Sequence, residues 1–171
     1  MKLIKPSLKY KESYLEALDE FNNNNITGFW HLFEDFRNIE KYLAQCELYS
    51  QGERLPKLLV PASTFWFIDN NEFIGHTNIR HELNGYLEKT GGHIGYHIRP
   101  SQWKKGYGTK ILELALNESI KLGLKEVLIT ANEVNIASWK IIEKNGGVLV
   151  NTIEVKGEDS PIRRYRVNIS K

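Results

Sequence analysis

The chain is poor in the residues that would place it in several large classes. It has one cysteine in 171 residues, Cys46, so neither an internal disulfide nor a thiolate metal cluster is available. Five prolines and 13 glycines are scattered, with no repeat, linker or low-complexity tract among them. No apolar run approaches the ~18–20 residues that cross a bilayer. The start, Met1-Lys2-Leu3-Ile4-Lys5-Pro6, lacks the apolar stretch and cleavage site of a signal peptide. Neither charge sign dominates, with 23 Lys+Arg against 21 Asp+Glu. A hydrophobic content of 41% is enough for a sizeable core and excludes a disordered chain. The expectation is a single cytoplasmic domain over residues 1–171 with no membrane partner.

The net charge of +2 hides an asymmetry. Residues 11–53 hold nine acids and three bases, a local charge of −6, which leaves +8 for the remainder. Solvated helix faces explain this, or the two parts face ligands of opposite charge.

Helical spacing predicts helices over 11–21 (Tyr14, Leu15, Leu18, Phe21) and 33–50. A short extended segment, residues 3–8, precedes them. Gly52, Pro56 and Pro61 mark 51–63 as a loop. Segments 64–69, 73–82 and 93–99 are rich in β-branched and aromatic residues and read as strands. Further helices at 106–122 and 136–144 alternate with strands at 126–131, 148–155 and 162–169. This order gives an α/β (α+β) domain, a mixed sheet with helices on its faces.

The most informative stretch is Arg99-Pro100-Ser101-Gln102-Trp103-Lys104-Lys105-Gly106-Tyr107-Gly108-Thr109-Lys110. A strand ends, two glycines turn the chain, and a helix begins. Unpaired N–H groups and the positive dipole end meet there, and glycine lets phosphates approach the backbone. Four cations and no acid fall within 99–112, which describes a phosphate or pyrophosphate cradle. A third glycine, needed for a dinucleotide fingerprint, is replaced by Ile111, and no P-loop string occurs.

Lys104-Lys105-Gly106-Tyr107-Gly108 resembles the coenzyme loop of the GNAT acyltransferases, Arg/Gln-x-x-Gly-x-Gly/Ala, with Trp103 at the leading position. Asn135-Ile-Ala-Ser138 followed by Lys144-Asn145-Gly146 resembles a second family segment, one helix and one strand further on. Residues 75–82, 91–99 and 144–147 also resemble a bacterial subgroup of predicted acetyltransferases. The resemblance implies a GNAT fold, a mostly antiparallel sheet of six to seven strands splayed at its centre. It implies acetyl-CoA as cosubstrate, no metal, and direct transfer to a primary amine of a small molecule or peptide. Coenzyme contacts would come from Ile98, Trp103, Lys104, Lys105, Gly106, Tyr107, Gly108, Thr109, Asn135 and Ser138. Asn135 also suits a helix N-cap.

An amine attacks only when neutral, so a base is required, and the leaving thiolate needs a donor. Family members carry a tyrosine seven residues after the helix asparagine, where this chain has Ile142. Either another donor, such as Tyr107 or Tyr96, serves as the acid, or the thiolate leaves unaided. His97 and Glu82 are the base candidates, and His93 with His97 lacks a third ligand for a metal. Phe29, Trp30, Phe33, Phe36 and Trp66 are either core or an acceptor slot, and the acidic excess nearby suits a cationic amine. A homodimer is compatible with these features. Two other functions compete: a coenzyme A sensor with little catalysis, and nucleic-acid binding through Lys104 and Lys105. The small net charge argues against the second.

Overall fold

The computed structural model describes residues 1–27, 33 and 35–170. Seven strands and four helices follow the expected order. They are β1 (Lys2–Ile4), α1 (Lys11–Asn23), α2 (Ile39–Ser50), β2 (Ala62–Asp69), β3 (Glu72–Arg80) and β4 (Ile94–Ile98), then α3 (Tyr107–Lys121), β5 (Glu126–Asn132), α4 (Ile136–Lys144), β6 (Val148–Ile153) and β7 (Ile162–Asn168).

Several ends differ from the sequence expectation, β3 stopping at Arg80 and β6 at Ile153 among them, and two of the differences have a plain local reason. β1 stops at Ile4, because Pro6 cannot donate to a ladder and the Ser7 side chain instead accepts the Lys9 N–H to start a 3-10 turn. α2 starts at Ile39 rather than Phe33, since Asn38 caps it by accepting the Lys41 N–H at 3.2 Å. Phe29 and Trp30 lie outside the described residues.

The strands form two antiparallel sheets, β1-β2-β3-β4 and β5-β7-β6. The register pairs His76 with His97 and Asn78 with Gly95, so these four share one face. α1 and α2 cover that face through Tyr14, Phe21, Tyr42, Trp66 and Phe73, with the Tyr14 and Trp66 rings stacked 4.6 Å apart. The opposite face, with Ile79 and Ile94, packs on Leu112 and Ala115 of α3, Ile142 of α4 and Val127 and Ile129 of β5. Each fully buried aliphatic side chain there contributes about 1.5–3 kcal/mol.

Beside the Gly91 N–H, which donates to Thr130 Oγ1 of β5 at 2.8 Å, a reciprocal pair of hydrogen bonds links the two sheets. The His93 N–H donates to the Leu128 carbonyl at 2.7 Å, and the Leu128 N–H donates to His93 Nδ1 at 2.9 Å. The imidazole thus stands in for a strand carbonyl and must be neutral. Beyond it, among the described residues, no ladder joins β4 to β5. That gap between the sheets is the splay.

Candidate active site

α3 opens directly onto the end of β4 through a 3-10 turn at Pro100–Gln102. Its N-cap is Gly106, at φ +84, a left-handed conformation that a side chain would strain. An added Cβ would meet nothing within 4 Å, so the space in front of the helix is open. No side chain caps the first turn, which leaves the N–H groups of Tyr107, Gly108 and Thr109 facing that space. Lys104 and Lys105 are exposed beside it. Open approach, unpaired donors, dipole and adjacent cations fit a pyrophosphate.

The four-cation ring expected around this turn is smaller. Arg99 is buried, and its guanidinium turns to α1, donating to Glu20, to Ser13 Oγ at 3.3 Å and to the Phe73 carbonyl at 3.2 Å. Glu20 also accepts from the Ser101 N–H and hydroxyl, both at 3.1 Å. Burial pushes this carboxyl up, but Arg99 and Ser101 outweigh it and hold the group below its ordinary value. Arg99 is therefore the bolt of the loop, not a phosphate ligand. Lys110 is paired with Glu113 at 2.7 Å.

Tyr107 is also committed. Its hydroxyl donates to Asp69 at 2.8 Å, and its ring packs edge-on against Phe67. This anchors the start of α3 to the end of β2 and removes Tyr107 from the alternatives for an acid. Trp103 donates its indole N–H to the Ile98 carbonyl at 2.7 Å.

Across the splay, Asn135 caps α4 by accepting the Ser138 N–H at 3.1 Å. Ser138 Oγ lies 3.5 Å from the Tyr96 hydroxyl. Burial pushes the Tyr96 phenol up to about 12, so it is a protonated donor at neutral pH. Ile142, where the resemblance implies a tyrosine, is fully buried in the core.

His97 lies on the other face of β4. Its ring is 5.4 Å from that of His76 and edge-on to Phe21. Burial lowers its pKa to about 4, which keeps it neutral. Glu82 is not brought near it: β3 ends at Arg80, and Glu82 is exposed beyond that end. The four residue steps from His76 to Arg80 alone span about 13 Å. Among the described residues, no group of three His, Cys, Asp or Glu side chains is placed to hold a metal.

The aromatic acceptor slot resolves differently from expectation. Trp66 is fully buried and Phe36 packs against the same core, whereas Phe33 lines a cavity of about 560 Å³. Among the described residues, none of the acids of residues 11–53 lines it, and several of them meet cations elsewhere, in Lys5–Glu47, Arg37–Asp19, Lys41–Asp35 and Arg99–Glu20. Sequence reasoning missed the cavity's one charged side chain among the described residues, Arg80, because nothing local to β3 marks it.

Residues 15–148, more than half of the chain, match the family model described as Acetyltransferase (GNAT) domain. The chain belongs to the GNAT acetyltransferase family. Solved structures with the same fold include the microcin C7 self-immunity acetyltransferase MccE in complex with acetyl-CoA and AMP, at 18% identity and TM-score 0.69, covering 97% of this chain and 91% of that one. A variant of the spermidine N-acetyltransferase SpeG from Vibrio cholerae is 19% identical, with TM-score 0.64 and coverages of 99% and 95%. yncA, a putative acetyltransferase from Salmonella typhimurium with its cofactor acetyl-CoA, is 12% identical, with TM-score 0.66 and coverages of 99% and 94%. No curated protein sequence matches the chain.

Proposed function

We propose that this chain transfers an acetyl group from acetyl-CoA directly to a primary amine of a small molecule or peptide. The observation that carries this is the uncapped start of α3 behind left-handed Gly106, opening at the splay between β4 and β5. Tyr107, Gly108 and Thr109 hold the phosphates by their N–H groups, with Lys104 and Lys105 beside them. Ile98, Asn135 and Ser138 line the pantetheine arm. The coenzyme supplies an activated acyl carbon on a thiol leaving group. The amine nitrogen bonds to that carbon, the carbon–sulfur bond breaks, and the amine proton leaves toward His97 through water. Tyr96 donates its phenolic proton to the departing sulfur. What supports that role is its protonated state and its place across the splay from Ser138.

The GNAT relatives with acetyl-CoA bound and the spermidine-acetylating one support the same reading. A cytoplasmic setting suits the one buried cysteine, whose thiol burial pushes up to about 12 and so keeps unreactive. A homodimer would use the outer edge of β6, where Val148, Leu149 and Val150 are exposed. A nucleic-acid partner is not proposed.

Acetyl-CoA titrated by calorimetry, followed by thiol release across an amine panel, tests the function. Binding with turnover is expected. Tyr96→Phe should lower kcat about 100-fold or more while leaving coenzyme affinity within about threefold. Absence of acetyl-CoA binding would sink the proposal. The sensor reading rests on the buried Ile142 and falls to any thiol release above background.

A further inference from the structure

The 560 Å³ cavity lies on the α1/α2 side of the first sheet, among α2, the loop before β2, β3 and residues 84–87. Tyr49, Val60 and Leu87, all buried, form its apolar walls. Leu58 and Tyr86 stand at its mouth, 80% and 65% exposed. Leu58 is held at φ +83, a conformation leucine rarely adopts, and the Asn84 side chain donates to its carbonyl at 3.0 Å. An exposed leucine kept in a strained backbone at a cavity mouth is a feature of ligand clamps.

On the β3 side stand Asn78 and Arg80. Arg80 is the only charged side chain among the described lining residues. Its Nη1 donates to the carbonyls of Gly91 at 3.0 Å and Gly92 at 2.8 Å, which fixes the guanidinium plane. No acid pairs with it among the described residues, since every ion pair found there involves other groups. Nε and Nη2 have no hydrogen-bond partner and are not sealed from the cavity. Those two N–H groups form the side edge of the guanidinium, the fork that matches a planar carboxylate. A cationic polyamine finds no acid among the described lining residues and meets a positive charge.

We propose that this cavity is the acceptor pocket, and that its acceptor is an amine with an apolar or aromatic body and a carboxylate held by the free edge of Arg80. The proposal rests on the acetyl-transfer reading for the word acceptor, and on the cavity alone for the ligand class. Asn78 lies opposite Gly95, whose missing side chain leaves room on this face of β4. The amine is directed that way, toward the splay, and the carboxylate toward Arg80. The acidic helices thus do not select the substrate.

The test separates binding from turnover. Protein saturated with coenzyme A is titrated by calorimetry with phenylalanine and with leucylphenylalanine, each beside its carboxamide, and with spermidine. At least one acid should bind tenfold or more tightly than its amide and more tightly than spermidine, with the acid–amide difference lost in Arg80→Gln. Equal binding of acids and amides, tighter spermidine, or no binding of either acid overturns the proposal. The acid–amide comparison uses the unaltered protein, so it holds even if Arg80→Gln loosens the loop at Gly91 and Gly92. Thiol release with acetyl-CoA is read separately. Binding of the acid without turnover supports the pocket assignment and counts against the transfer reading; turnover with spermidine alone does the reverse.

Discussion

The Trp103 indole N–H donates to the Ile98 carbonyl across 2.7 Å. Trp103 occupies the leading position of the coenzyme loop, and Ile98 ends the strand along which the pantetheine is expected to run. Half-exposed Trp103 is therefore folded back onto the backbone group proposed to meet the coenzyme. The indole takes one of the carbonyl's two lone pairs. Trp103→Phe keeps the ring and drops the donor. A net hydrogen bond is worth about 0.5–1.5 kcal/mol, so coenzyme A should bind about two- to tenfold more tightly. Calorimetry decides it: weaker binding would make the indole itself a coenzyme contact.

Arg99 and Glu20 join the coenzyme loop to α1 across 79 residues of chain. Removing the Glu20 charge leaves the buried guanidinium only the exposed Glu16 carboxylate at 3.8 Å, so Glu20→Gln should cost about 1–3 kcal/mol in denaturant unfolding. The carboxyl sits below its ordinary value of 4.5, so its stabilisation is complete above that pH and lost as pH falls through the lower, folded value. The variant should lack that part of the acid-side slope. An unchanged slope would assign it to other groups.

The order of elements was legible because each one satisfies its pattern locally. Asn135 caps α4 as expected and Gly106 turns the chain into α3, since capping and left-handed turns are decided by neighbours in sequence. Arg99, Trp103 and Arg80 were not legible in this way. Each is a long side chain on or beside a strand end, and its direction is set by what the fold brings opposite: Glu20 for Arg99, the Ile98 carbonyl for Trp103, the Gly91–Gly92 bend for Arg80. Charge counting failed over residues 11–53 for the same reason, because Asp19, Glu20, Asp35 and Glu47 meet cations that sequence spacing does not reveal.

Four histidines make the fold acid-sensitive in a second window. Burial lowers His76, His81, His93 and His97 below the ordinary value of 6.5. The unfolded chain then binds protons that the native state refuses, so stability falls as pH drops below about 6.5 and levels off below the folded values. His93 adds a structural term, because its protonated ring cannot accept the Leu128 N–H. His93→Ala leaves that N–H without its partner and should cost about 1–3 kcal/mol, read by unfolding at pH 7.5. His93→Gln, which restores an acceptor, should recover part of it.

If His97 takes the amine proton, the acid limb of kcat/KM should lie near its depressed value of about 4 rather than near 6.5. His97→Ala should lower kcat/KM and remove that limb. A profile that bends near 6.5 and is unaltered in the variant would clear His97 of base duty.

Gly108 separates packing from charge at the phosphate cradle. A Cβ there would come within 2.6 Å of Ile141 Cδ1, so α3 and α4 approach as closely as a glycine allows. The obstructing atom is the end of a flexible side chain, and Gly108→Ala should cost about 1 kcal/mol with coenzyme affinity nearly kept. Gly108→Glu adds a carboxylate in the first turn, where the helix dipole favours it, so its stability should stay close to that of the alanine variant. Coenzyme binding should nevertheless be lost, because the carboxylate competes for the N–H groups of Tyr107 and Thr109 proposed to hold phosphate. Thermal unfolding and calorimetry on both variants read the two effects apart. Wild-type coenzyme affinity in Gly108→Glu would refute the phosphate assignment, and loss in both variants would transfer the effect to the α3–α4 contact.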